Sequence, residues 1–384
     1  MVQLKGITWR HTRGYLPMVA AAQRFCELNP EVLIRWETRS LQQFADSPVE
    51  ELARDFDLLV IDHPSMGCAA QHSALLPLDE WLPGEFLADQ SAHSTGRSHA
   101  SYSFEGHQWA LAIDAAAPVS GFRKDLLDQA GVDIPRTWSG LLALAKRGLV
   151  AVPGLAIDSL MNFYMLCDAA GEEPFVRPDR VVNDEIGILA LKLLRELLQL
   201  CDPGCLERNP IATWELLSSS NTVAYCPFAY GYSNYSRYGY SAYIIGTEGL
   251  VSMDGGNPLR STLGGAGLAI SATCRHKETA ALYAQYVASA ECQKGLYFHS
   301  GGQPGHRGAW LDQEVNRSAN NFFRNTLATL DAAYVRPRSD GYLCFQDRGA
   351  RIVHDYLKGS GGERAVMGDL NRSLAEASHR PFDL

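Results

Sequence analysis

Along the first sixty residues, short apolar runs of period two alternate with longer segments of period near 3.6. "KGITW" reads as a strand and "RHTRGY" as the polar loop after it. Pro17 suits the first turn of a helix whose apolar positions are Met18, Val19, Ala22, Phe25 and Cys26. Asn29-Pro30 turns the chain, and Val32, Ile34 and Trp36 alternate as a second strand. A helical segment over Val49 to Arg54 leads to "LLVIDHP", an apolar run that stops abruptly on Asp62, His63 and Pro64. Strand-helix-strand-helix-strand implies right-handed crossovers and a parallel sheet, with ligands outside the carboxyl ends of its strands. The residues after the first and third strands, His11 to Tyr15 and Asp62 to Pro64, are therefore expected on one edge.

Further along, "YSFEGHQWALAID" has the pattern of a hairpin turning at Glu105-Gly106 and running towards Asp114. "VSGF" is a strand, "RKDLLDQAG" a helix with Gly131 suited to its end, and Thr137 an N-cap for the next helix. Between 184 and 200, Ile186, Leu189, Leu193, Leu194 and Leu197 predict an amphipathic helix. Seven tyrosines lie between Tyr225 and Tyr243, interleaved with Gly, Ser and Asn. Their flat faces and polar tips suit stacking on a polar ring, while loop packing is the competing use. Glycines 264, 265 and 267 permit close backbone approach before a short strand, and "HKETAALYAQYVASAECQKGLYF" is an amphipathic helix.

Charge and composition narrow the partners. The 384 residues carry a net charge of −9 with no basic block, which excludes nucleic acid or anionic membrane as the main partner. No apolar stretch is long enough to be embedded in a membrane, and the N-terminus shows no export signal. The nine cysteines are scattered without metal-site spacing; Cys201 and Cys205 are the closest pair. Free thiols favour a reducing compartment, so the chain as it stands reads as cytoplasmic, or periplasmic if a leader was removed. No cofactor or metal motif is present: there is no phosphate loop, no G-x-S-x-G and no H-E-x-x-H. The tyrosines alone would suit ferric ion, but the chain has no Tyr-Tyr pair.

Several segments together carry a resemblance. "FDLLVID", "LLPLDEWLP", "FEGHQWALAIDAAAPVSGFRKDLLDQAGVDIPRTWSGLLALAK", "LGGAGLAISATCRHKETAALYAQYVASAECQKGL" and "GGQPGH" resemble the family 1 extracellular solute-binding proteins of bacterial ABC importers. The resemblance implies an α/β fold of the periplasmic-binding-protein type 2 class, each lobe a mixed, mostly parallel sheet flanked by helices. Lobe one would comprise 1–113 and 265–308, lobe two 114–264 and 309–384. It implies a small-molecule ligand held in the cleft between lobes by hinge closure, and an ABC permease as partner if the role is transport. The expected ligand set is Trp9, His11, Arg13 and Tyr15 on one strand end, Asp62 and His63 on another, and Asp114 at the crossing. Tyr230, Tyr232, Gly264 and Gly265 complete it. The ligand would be a sugar, polyol or small organic acid, since Arg13 suits an acid and the tyrosines a sugar. An alternative on the same fold is a cytoplasmic enzyme using His11, His63, Asp62 and Asp114 in acid-base chemistry.

Overall fold

The computed structural model describes residues 1–377. Its strands are β1 (Val2–Trp9), β2 (Val32–Arg39), β3 (Leu58–Ile61), β4 (Ser103–Phe104), β5 (His107–Gln108), β6 (Leu111–Ala116), β7 (Pro118–Phe122), β8 (Tyr225–Tyr230), β9 (Gly246–Glu248) and β10 (Gly264–Ile270). The chain divides into two units. Unit one holds Met1–Ala116, Leu263–Arg317 and Arg338–Asp340; unit two holds Ala117–Thr262, Ser318–Pro337 and the chain from Gly341 on.

Unit one is built on a five-stranded sheet of order β2-β1-β3-β10-β6. β1 runs parallel to β2 and β3, whereas β10 is antiparallel to both β3 and β6. Strand alternation sorts the side chains onto two faces. Leu4, Leu58, Val60, Leu111, Leu268 and Ile270 pack with Met18, Ala22 and Phe25 of the helix Thr12–Leu28 and with Tyr283 and Val287 of Lys277–Ala288. Ile7, Leu59, Ile61, Ala112 and Ala269 face Val49, Ala53, Met66 and Ala69 on the other side. The sheet is thus covered on both faces, which is why β3 is apolar throughout. The β4–β5 hairpin turns where expected: Glu105 at φ 49° and Gly106 at φ 84° are both left-handed, as a type I′ turn requires.

Two local expectations need correction. The segment after β1 is not a loop up to Pro17; the helix starts at Thr12, and Pro17 lies inside it. His11 makes the earlier start, its Nδ1 accepting from the Arg13 N–H as an N-cap (3.0 Å). The helix Asp184–Gln199 forms as expected, but its buried face is Gly187, Ala190, Leu191, Leu194, Leu197 and Leu198, while Leu189 is 46% exposed. Gly187 and Ala190 are small enough to bring this stripe against the neighbouring helices, with Met367 pressed onto Gly187.

In unit two the ladder β8-β7-β9 is antiparallel, and a parallel bridge between Val150 and Tyr225 extends it, so this sheet is more antiparallel than expected. Its core centres on the helix Ala156–Ala169, buried without a break from Asp158 to Cys167 and packed against Asp184–Gln199 and Tyr342–Leu357. Thr137 caps the following helix through the Gly140 N–H (3.2 Å), as its sequence predicts.

Candidate functional site

The carboxyl edge of the unit-one sheet gathers most of the sequence-predicted residues. β1 ends at Trp9, whose indole is buried, packed against Gly14 and 5.2 Å from the Phe44 ring. Its Nε1 has no hydrogen-bond partner among the described residues. Arg13 turns inward: Nε donates to Asp114 Oδ2 at 2.8 Å and Nη2 to Oδ1, and both side chains are almost wholly buried. Burial pushes the Asp114 carboxyl up, and the forked guanidinium opposes that shift. His11, beside this pair, is driven down to about 4 by burial and by Arg13, so its ring is neutral at pH 7. Tyr15 is half-buried against the sheet's first face.

At the end of β3, Asp62 caps a 3₁₀ turn over His63–Ser65: Oδ1 accepts from the His63 N–H at 2.8 Å and lies 3.1 Å from His63 Nδ1. His63 is buried and edge-on to Tyr102, whose hydroxyl donates to the Ile61 carbonyl at 3.2 Å. Gly264 and Gly265 lie in β10 opposite Ala116 and Ala115. Gly265 has φ 111°, and a Cβ there would fall 2.3 Å from the Asp114 carbonyl oxygen, so only glycine fits this pairing.

In unit two, Tyr230 closes β8. Its carbonyl accepts from Trp214 Nε1 (2.8 Å), and its hydroxyl lies 3.0 Å from the Thr262 hydroxyl. Tyr232 is buried beside Tyr235, whose hydroxyl donates to Glu215 at 2.6 Å. Tyr225 is core, Tyr240 packs edge-on to Tyr235, and Tyr243 lies under the Arg123 guanidinium at 3.5 Å. Tyr238 is 73% exposed. Much of the tyrosine run thus builds the segment itself, with Tyr230 half-buried at its start.

Asp158 lies outside the expected ligand set. It lies in the first turn of Ala156–Ala169, where the N-cap Leu155 brings no side-chain acceptor. Asp158 is 5% exposed, its Oδ2 has no hydrogen-bond partner among the described residues, and burial pushes its pKa up to about 8. A helix N-terminus favours the charged form by about 0.3–1 kcal/mol, and by about 2 at most. Loss of hydration costs several kcal/mol per ion, so desolvation wins and the acid stays protonated at neutral pH. The available signal was a lone carboxylate in the opening turn of the otherwise apolar "AIDSLMNFYMLC".

One titratable cluster in unit one has ligand-like spacing. His93 and His306 stack at 5.1 Å, and Asp89 lies 2.8 Å from His93 Nδ1 and 3.4 Å from His306 Nε2. His306 Nδ1 accepts from the Gly308 N–H at 3.1 Å. The neutral ring therefore carries its proton on Nε2, which donates to Asp89 and has no lone pair for a cation. No helix among the described residues is long and apolar enough to cross a membrane.

Known proteins resemble the chain in sequence over part of its length and in fold over nearly all of it. A sequence model of the family described as bacterial extracellular solute-binding protein matches residues 9–171. No curated protein matches the chain. Among solved structures, maltose-bound MalE3 of T. maritima is similar with a TM-score of 0.82 at 19% identity, covering 98% of this chain and 100% of that one. A solute-binding protein of Agrobacterium radiobacter K84 in complex with ribitol gives 0.82 at 19%, covering 98% of both chains. A Thermotoga lettingae solute-binding protein bound with α-D-tagatose gives 0.82 at 17%, covering 97% and 100%. The resemblance read from the sequence therefore holds: residues 9–171 match the bacterial extracellular solute-binding proteins, and the fold of such proteins extends over nearly the whole chain.

Proposed function

We propose that the chain binds a small, neutral, polyhydroxylated solute, a sugar or polyol, without transforming it. The fold shared with maltose-, ribitol- and tagatose-bound proteins supports binding. The observation that carries the ligand class is the internal pairing of charge at the unit-one edge. Arg13 is committed to Asp114, Asp62 is engaged with His63, and His11 is neutral at pH 7. An edge of this kind offers fixed hydrogen-bonding groups and little net charge, which suits hydroxyls better than a carboxylate or phosphate. In this reading the unit-one edge presents Trp9, Tyr15 and Asp62 to the solute. Arg13, His11, His63 and Asp114 hold the edge in shape, and Gly264 and Gly265 hold β10 against β6.

The six buried cysteines among nine free ones suit a reducing compartment, so we place binding on the cytoplasmic side. An importer's permease becomes the partner if the thiol count described below shows disulfides instead. The test of the ligand class is calorimetry and thermal shift with maltose, ribitol and tagatose against lactate, citrate and a sugar phosphate. A neutral solute at a hundredfold over its Kd should stabilise the protein by about 2.7 kcal/mol. Tighter binding of the carboxylates or the phosphate would refute it.

A further inference from the structure

Unit two contains a pair of thiols that lie in its apolar core and belong to no part of the solute site described above. After the helix Asp184–Gln199, the Cys201 N–H donates to the Leu198 carbonyl (3.1 Å), and Asp202 caps the 3₁₀ turn Pro203–Glu207. Within that turn the Cys205 N–H donates to the Asp202 carbonyl at 2.9 Å, which bends the chain between 201 and 205. The Cys201 thiol is a close neighbour of the Cys205 thiol. The Cys205 sulfur accepts from the Val152 N–H at 3.4 Å and from Arg208 Nη2 at 3.5 Å. Arg208 is in turn held by Asp202 at 2.5 Å, which fixes its guanidinium next to the sulfur. Two donors, the Val152 N–H and the Arg208 guanidinium, converge on the Cys205 sulfur, a cradle that suits a thiolate.

We propose that Cys201 and Cys205 are a redox-modification site, a dithiol that hydrogen peroxide converts to an intramolecular disulfide with Cys205 as the attacking sulfur. The Cys205 thiolate attacks one peroxide oxygen. The O–O bond breaks, and hydroxide leaves and takes a proton from solvent, giving water and a sulfenic acid on Cys205. The Cys201 sulfur then attacks the Cys205 sulfur and displaces the hydroxyl group, which leaves as a second water with the Cys201 proton. The two sulfurs lose two electrons and the peroxide gains them. The direction of each thiol's shift agrees with these roles. The neighbouring Cys201 thiol draws Cys205 down with help from Val152 and Arg208 against desolvation, and Cys205 in turn pushes Cys201 up. Cys201 is 8% exposed and Cys205 1%, so burial favours a small uncharged oxidant such as peroxide over a bulky one.

The experiment uses the full chain, reduced, freed of reductant and dosed with hydrogen peroxide. Remaining thiols are then alkylated in denaturant, and tryptic peptides are mapped without reduction. Both cysteines fall in one peptide, Glu196–Arg208, which should escape alkylation and lose two hydrogens while the other seven cysteines are alkylated. Cys201→Ser should leave a dimedone-reactive sulfenic acid on Cys205. Arg208→Gln should slow oxidation at pH 7 severalfold and make its rate climb with pH, where the native rate has levelled off. Peroxide that modifies Cys344 or Cys226 while leaving Glu196–Arg208 alkylated, or a Cys205–Cys226 link, overturns the proposal. The wild-type map decides this even if a variant fails to fold.

Discussion

Asp158→Asn should flatten the pH dependence of stability. The native carboxyl has its pKa raised to about 8 by burial, whereas an unfolded aspartate titrates near about 3.9. Between these values the folded protein holds a proton that the unfolded chain lacks. The group's stabilising contribution is therefore complete below about pH 4 and is lost as pH rises towards 8, at about 1.4 kcal/mol per pH unit. From pH 5 to pH 8 the wild type should lose roughly 3–4 kcal/mol relative to Asp158→Asn, after allowing for half-titration at the upper end. Asparagine is nearly isosteric with the neutral acid, so at pH 5 the two proteins should differ by only about 1 kcal/mol. Urea unfolding at half-unit steps from pH 5 to 8, followed by fluorescence and by amide exchange within Ala156–Ala169, gives both curves. Other titrating groups cancel in the difference. Parallel curves, with no divergence towards pH 8, would show that Asp158 ionises in the folded state and would refute the desolvation argument.

Three other outcomes are expected. Arg13→Met strands a buried Asp114 and should cost about 3–5 kcal/mol in urea unfolding, with Arg13→Met/Asp114→Leu recovering most of it; a single variant as stable as wild type would sink the account of the pair. Asp62→Ala removes the cap on the His63–Ser65 turn and should cost about 0.5–2 kcal/mol without ligand. If Asp62 also contacts solute, calorimetry on that variant should show a further loss of about 1.5–3 kcal/mol in binding; unchanged affinity would remove it from the site. Thiol titration in denaturant without reductant should find most of the nine cysteines free, and four stable disulfides would instead place the protein in an oxidising compartment.

Local signals in the sequence translated well. The β4–β5 turn, the Thr137 cap and the apolar β3 each follow from a few adjacent residues whose chemistry permits little else. The His11 cap was harder, because Pro17 advertised a helix start that the histidine pre-empted. The buried stripe of Asp184–Gln199 shows a different limit: leucines outnumber the places on one face, and the small Gly187 and Ala190 choose which face packs. At the candidate site the residue types were legible and their partners were not. Arg13 and Asp114 are 101 positions apart, and nothing near either one announces the other. Asp158 was invisible because its meaning comes from burial, which only the assembled core confers.

The strand order of unit one also bears on how the protein is made. β6 leaves the ribosome long before β10, yet β10 is its neighbour in the sheet and lies between it and β3. Until the whole stretch from Ala117 to Thr262 has been synthesised, β3 and β6 each lack the ladder they will share with β10. Closing so long a loop costs only slightly more than closing a shorter one, so the finished sheet loses little stability by this arrangement. The burden falls on the nascent chain, which carries two apolar strand edges through the synthesis of the largest segment of unit two. Anything that slows translation between Ala117 and Gly264 should therefore lengthen the time in which those edges meet other chains instead of their own.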